Sequence, residues 1–321
     1  MKTRRLLIAT ALVTLGTAAL PALGQALEGT LRLVVPYAPG GSSDRAARLV
    51  ADKLAPQLGV NVIVENKPGA GGRLAAQSLK GARADQNLLL LANPAVMVVA
   101  PLIYKDVGYD PENDFQPVSY VSKYEFGVAV SDAVPVRELS HLFAWLRANP
   151  EKANFGVPAT GSLPHFFGLM VSEQAKVKGE IVGYKGSAPL INDLMGGQLP
   201  VAFDTLDTLL PQHQGGKLRI LASSGSKRSQ FSPDIPTFTE SGLNLSADGW
   251  NAFFAPASMP AARVALLSKA IAAVMSDPDT QRRFAESKLE PVSSNAEQTR
   301  AMLKTYRAQW APVVQKSGYK P

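Results

Sequence analysis

The chain has 321 residues, of which 46% are hydrophobic and 18% charged. That is length for two ordinary domains or one large one, with enough apolar content to bury a core, and it excludes a disordered chain. Lys and Arg number 33 against 26 Asp and Glu; without Lys2, Arg4 and Arg5 at the start, the remaining 30 leave an excess of +4, too dispersed for a nucleic-acid-binding face. Cysteine is absent, which excludes disulfides, thiolate metal sites and a Cys nucleophile. His141, His165 and His213 are far apart in sequence and form no H-x-x-x-H, so neither a zinc site nor any other cofactor is expected.

Residues 1–26 read as a secretory signal peptide. A basic start precedes an uncharged apolar run from Leu6 to Leu20, and small residues follow at cleavage spacing through Gly24 and Ala26. The run is 15 residues, short of the roughly 20 that a spanning helix needs. No later apolar stretch reaches that length. The mature chain is therefore expected in a bacterial periplasm.

The next segments alternate between strand and helix. Leu31–Val35 reads as a buried strand, Pro36–Ser43 as a Gly-rich loop, and Asp44–Leu58 as a helix with Ser42 or Ser43 as its cap. Val60–Val64 predicts a second strand, residues 66–72 a second Gly-rich loop, Arg73–Leu79 a short helix and Leu88–Leu91 a third strand. A parallel α/β sheet follows from that alternation. The pattern resumes with strands at Gly127–Val130, Asn154–Val157, Glu180–Val182, Val201–Phe203 and Arg219–Ala222. Helices are predicted at Val136–Ala148, Pro164–Gln174, Ala188–Met195 and Leu206–Leu210. The last third reads as a strand at Trp250–Ala255 and helices at Pro260–Met275, Pro278–Lys288 and Ala296–Lys316. Two α/β blocks and a helical tail predict two lobes with a cleft, where ligands meet the loops after the strands.

Those loops favour anion binding by backbone. Gly40 and Gly41 allow close approach to a ligand, and the helix that follows presents free N–H groups and the positive end of its dipole. The same glycines also suit a simple tight turn. The run Pro68–Gly72 lacks both G-x-G-x-x-G and G-K-[ST], so nucleotide binding has little support. Ser162, His165 and Asp204 suggest a hydrolase triad, but no G-x-S-x-G is present and Ser162 suits a helix cap equally well. Lys185 fits an anion partner or the surface, Asp204 a cleft or a cap, and Trp250 a pocket wall or the core.

Taken together, seven collinear motifs resemble one family. They are P-Y-A-P-G-G-S-S-D-x-x-A-R at 36–48, V-E-N-K-P-G-A-G-G at 64–72, Y-D-P-E-N-D-F-Q-P-V-S at 109–119, Y-K-G-S-A-P-L-x-x-D-L-M-G-G-Q-L at 184–199, G-K-L-R-I-L-A at 216–222, K-R-S at 227–229 and D-I-P-T at 234–237. The family is the extracytoplasmic solute receptors of tripartite tricarboxylate transporters, the Bug receptors, and the similarity spans essentially the whole mature chain. The resemblance implies an α/β, two-lobe periplasmic binding protein of type II, a hinged trap with a helical C-terminal segment and no enzymatic activity. Its lobes are expected at 27–124 plus 246–321 and at 125–245. It implies capture of a small carboxylate and delivery to a permease of one large and one small integral subunit, by a monomer that binds no nucleic acid. Presentation of the ligand to a membrane sensor is the alternative output. The ligand-binding positions it implies are Tyr37, Pro39, Gly40, Gly41 and Ser42 in the first loop and Thr160, Gly161, Ser162 and His165 in the second. Tyr184 and Asp204 are implied at the far end of the ligand.

Two stretches depart from the family pattern. Asp85–Leu90 lacks the usual D-G-Y-T-L-L-L, and the next loop reads Ala92-Asn93-Pro94-Ala95-Val96, where Asn93 can still bond a ligand but Pro94 has no N–H. Leu163-Pro164 stands where small polar residues are common. These changes predict altered specificity, leaning toward a partly apolar or aromatic acid.

Overall fold

The computed structural model describes residues 27–320, so the predicted signal peptide lies outside the described residues. In the first half, β1 (Thr30–Val35), α1 (Ser42–Leu58), β2 (Asn61–Asn66), α2 (Arg73–Lys80) and β3 (Leu88–Ala92) follow in order. β1 lies between β2 and β3, parallel to both, and its apolar residues Leu31 and Leu33–Val35 are buried. A wide helical turn, Ala95–Val99, leads into the short α3 (Ala100–Ile103).

β4 (Phe115–Ser131) organises the molecule. The sequence pattern predicts a strand only at Gly127–Val130, but the strand has 17 residues. It is followed by α4 (Leu139–Ala148), β5 (Asn154–Val157), α5 (Leu163–Ala175), β6 (Glu180–Gly183), α6 (Ser187–Met195), β7 (Val201–Thr205), α7 (Leu206–Gln214) and β8 (Leu218–Ser223). The chain then returns through β9 (Asp248–Pro256), α8 (Ala261–Ser276), α9 (Pro278–Glu286), β10 (Glu290–Pro291) and α10 (Ala296–Lys316). The strand path is β2-β1-β3-β9-β4-β7-β5-β6, with β8 and β10 also on β4.

The predicted all-parallel sheet is corrected to a mixed one. β9 runs antiparallel to both β3 and β4, and β4 runs antiparallel to β7 and β8. The partner of β4 changes along its length: Glu125 is the last residue paired with β9, and Phe126 is the first paired with β7. Register slips at Pro117/Ser119 and Tyr120/Ser122 bend the strand on the way. Ser224 ties this crossing together. Its hydroxyl accepts from the Phe126 N–H at 2.8 Å and donates to the Ala247 carbonyl at 2.5 Å, and its own N–H reaches the Phe126 carbonyl at 2.8 Å. An aromatic path, Tyr124–Phe126–Phe167–Phe238, packs through the same region. Trp250 is buried against Phe254 and Tyr306, which settles it as a core residue.

Candidate functional site

The loop after β1 turns at Gly40, whose φ of +93° favours glycine. The helix begins earlier than predicted: Gly41 is the cap, and Ser42 and Ser43 lie inside the first turn. Asp44 reaches back to accept from the Gly40 N–H at 2.9 Å, and it also holds Arg48 and Asn66. These contacts keep its carboxyl below the usual range despite burial. With Gly40 spoken for, the free N–H groups of the turn start at Gly41.

Three more helices begin at the same place. Gly41 to Asp44 at α1, Ser162 to Pro164 at α5, Gly186 and Ser187 at α6, and Thr205 at α7 all border one cavity of about 50 Å³. Each start brings a positive dipole end there, although the Thr205 N–H is taken by Asp204, the Gly186 N–H by the Pro158 carbonyl and the Ser162 N–H by the Ala159 carbonyl. No lysine or arginine lines the cavity, and its ionisable carboxyls are Asp44 and Asp204, so any attraction for an anion there comes from the backbone. Ala38, Ala95, Leu163 and Tyr124 supply apolar wall. This is chemistry for a small anion whose middle is apolar.

Polar side chains fix the walls. Tyr37 donates to Asn93 Oδ1 at 3.1 Å, and burial pushes its hydroxyl up to about 12. Ser43 donates to Asn251 Oδ1 at 2.6 Å, and Asn251 in turn donates to Ser122. Asp204 is completely buried at the end of β7; its Oδ1 accepts from the Thr205 N–H at 2.7 Å, while Oδ2 has no partner. Burial pushes its carboxyl up to about 7, opposed by the Ser187 hydroxyl and the Thr205 N–H and reinforced by Asp207.

The two sides of the cavity touch. Arg45 on α1 forms an ion pair with the buried Asp207 on α7 and also donates to the Gly40 carbonyl at 2.8 Å. A methyl group placed on Gly186 would lie 3.4 Å from the Ala38 side chain, and one on Gly41 3.8 Å from the Ser187 hydroxyl. Beyond α10, Tyr319 sets its ring edge against His165 with centroids 4.5 Å apart, and Lys316 pairs with Glu173 at 3.0 Å. The Arg45–Asp207 pair thus spans the two sides of the cavity.

Of the twelve positions named from sequence, the structure brings Tyr37, Gly41, Ser42, Asn93, Ser162 and Asp204 to the cavity wall. The other six stand elsewhere. Pro39 and Gly40 sit on the exposed outside of the turn. Thr160 is exposed, and Gly161 donates its N–H to His165 Nδ1 at 2.9 Å. His165 is buried between Phe166 and Tyr319, where burial pushes its ring down to about 4. Tyr184 donates to Asp193 at 2.8 Å within its own helix–strand unit. Ser162 caps α5 through the His165 N–H, so Ser162, His165 and Asp204 do not assemble as a triad. Among the described residues no cluster of three metal-ligating side chains occurs. Sequence reasoning missed Tyr124, whose strand it did not extend far enough, and Thr205. It marked the Gly186–Ser187 pair only as a helix start.

Comparison with known proteins gives a consistent result. A family model described as the tripartite tricarboxylate transporter family receptor matches residues 46–319. A UPF0065 protein of Bordetella bronchiseptica is 33% identical over 291 residues, covering 91% of this chain and 86% of that one. Among solved structures, the periplasmic binding protein BugD superposes with a TM-score of 0.87 at 32% identity, covering 91% of this chain and 99% of its own. The R. palustris protein Rpa4515 with adipate gives a TM-score of 0.88 at 28% identity, covering 91% and 98%.

Proposed function

The chain belongs to the tripartite tricarboxylate transporter family receptors, and from that premise we propose that it captures a short aliphatic dicarboxylate in the periplasm and delivers it to a permease of one large and one small integral subunit. The observation that carries the ligand class is the meeting of four helix N-termini around a cavity with no basic side chain. A carboxylate there accepts from backbone N–H groups that have no other partner. The adipate held by a relative is of the same chemical class. Among the described residues no helix is long and apolar enough to cross a membrane, consistent with an exported receptor.

The lobes in this reading are 27–124 with 246–321, and 125–245, divided where β4 changes partner. The carboxylate docks first on the α1 turn. The α5, α6 and α7 termini then close over it, with the Arg45–Asp207 pair made only in the closed state. Closure needs no chemistry, only contacts that favour one of two states.

The test is isothermal titration of the mature protein with C3 to C6 dicarboxylates, citrate, benzoate and acidic amino acids. Saturable binding of one or more dicarboxylates, with benzoate silent, is expected. The cavity-filling variant Ala95→Phe should abolish binding while its melting temperature stays within a few degrees of the parent. Binding that survives Ala95→Phe would place the ligand outside this cavity and sink the reading.

A further inference from the structure

Asp204 is the buried group that anion capture by helix termini leaves unexplained. Its Oδ2 has no hydrogen-bond partner, although the residue is fully buried on the cavity wall. Unsatisfied buried carboxylate oxygens are costly, and in a binding cavity the ligand is the natural partner. A second carboxylate facing an ionised Asp204 would be repelled. A single proton between the two oxygens converts that repulsion into a short, charge-assisted hydrogen bond.

We propose that Asp204 holds the far carboxyl of the dicarboxylate as an acid–carboxylate pair sharing one proton, which makes this receptor a proton-coupled binder of dicarboxylates. The proposal rests on the reading of the cavity as a carboxylate site. The near carboxylate takes the helix N–H groups and stays ionised. At the far end no covalent bond between heavy atoms forms or breaks. The proton comes from Asp204 itself where that group is already neutral, and from solvent where it is ionised.

The surroundings of Asp204 favour the shared proton. From α7, Asp207 adds negative charge, but its own carboxyl is paired with Arg45 of α1. From β4, Tyr124 faces the pair with a hydroxyl that burial keeps protonated. From α6, Ser187 bears no charge, and its hydroxyl lowers the Asp204 carboxyl without reversing the rise that burial causes. Asp44 on α1 is committed to Gly40, Arg48 and Asn66. No cation lining the cavity is therefore left to neutralise two carboxylates. With the Asp204 carboxyl titrating at about 7, the free receptor carries the proton below neutrality and must recruit it above.

Affinity for succinate and glutarate should then be flat from pH 6 to about 7 and weaken about tenfold per unit above it, because one proton joins each complex. Titrations at pH 8.5 in two buffers of different ionisation enthalpy should report uptake of about one proton per ligand. Asp204→Asn replaces the O–H donor by N–H and should bind within about threefold of the parent at pH 6, with no weakening to pH 8.5. Affinity that stays flat to pH 8.5 in the parent overturns the proposal and leaves the receptor reading intact. So does a loss beyond tenfold in Asp204→Asn at unchanged melting temperature, which would mark an ionised Asp204 accepting from a ligand hydroxyl or ammonium. Failure of every dicarboxylate to bind overturns both. The proton count on the unaltered protein stands as a test even where the variant does not fold.

Discussion

Replacing Arg45 by Ala tests whether closure across the cavity sets affinity. Arg45 is the side chain that neutralises Asp207, whose carboxylate is 1% exposed while the guanidinium is 28% exposed. Breaking a fully buried pair costs about 3–5 kcal/mol, because the surviving charge is left uncompensated. Exposure of the guanidinium lets water screen it, so about 2 kcal/mol is the better figure here. If the pair exists only in the closed state, that cost falls on closure and weakens ligand binding about thirtyfold. Thermal stability of the unliganded protein should change little. Burial already raises the Asp207 carboxyl, and Arg45 opposes that rise. Without Arg45, Asp207 is relieved of its unpaired charge by taking a proton, so the defect relative to the parent should be smaller toward acid pH than toward alkaline pH. Arg45→Lys should fall between, since an ammonium cannot span both Asp207 and the Gly40 carbonyl. Titration calorimetry at acid and alkaline pH, with small-angle scattering to follow closure, reads all of this. An Arg45→Ala affinity within threefold of the parent at pH 8.5 would refute the role of the pair.

Two further outcomes concern the crossing strands. Ser224→Ala leaves the Phe126 N–H and the Ala247 carbonyl without their hydroxyl partner, and should cost about 1–3 kcal/mol in urea unfolding; a smaller loss would mean that water replaces the hydroxyl. Glu125 is pushed up to about 7, chiefly by burial and against the pull of Lys123, with Glu290 and Asp248 adding to the rise; its Oε2 lacks a partner. A folded value above the unfolded one adds stability below about pH 4.5 that is lost as pH rises through 7. Glu125→Gln should therefore gain about 2 kcal/mol on the parent between pH 5 and pH 8. Parallel stability–pH curves for the two proteins would show that Glu125 is hydrated and ordinary.

Much of the fold was legible because local pattern and burial agree. Asn154–Val157 and Ala296–Lys316 were bounded to the residue, the latter by a full capping box at Asn295 and Gln298. β4 was not, for a physical reason. Its first half, Phe115 to Glu125, contains Pro117, Lys123 and Glu125 and alternates poorly, since register slips at two points reverse which residues face inward. The antiparallel direction of β9 was hidden for a related reason. A buried apolar strand reads the same in either direction, and only its long-range partners decide.

The site divides along the same line. Helix starts are local, so the sequence exposed the α1 turn, the Ser162 cap and the Gly186–Ser187 start, and all three reach the cavity. What a side chain does at a helix start depends on which partner comes closer. Gly161 and His165 flank Ser162 of the cavity wall, but the Gly161 N–H finds the imidazole of His165 one turn on and is spent there. Tyr184 finds Asp193 in the same way. Asp204 has no such local rival: its Oδ1 is satisfied by the next residue, and its Oδ2 is left without a partner. Motif position selects the loops that border the cavity. Within them, the polar atoms left without a local partner are the ones available to bind it, and that remainder becomes visible only when the hydrogen bonds of the folded chain are assigned.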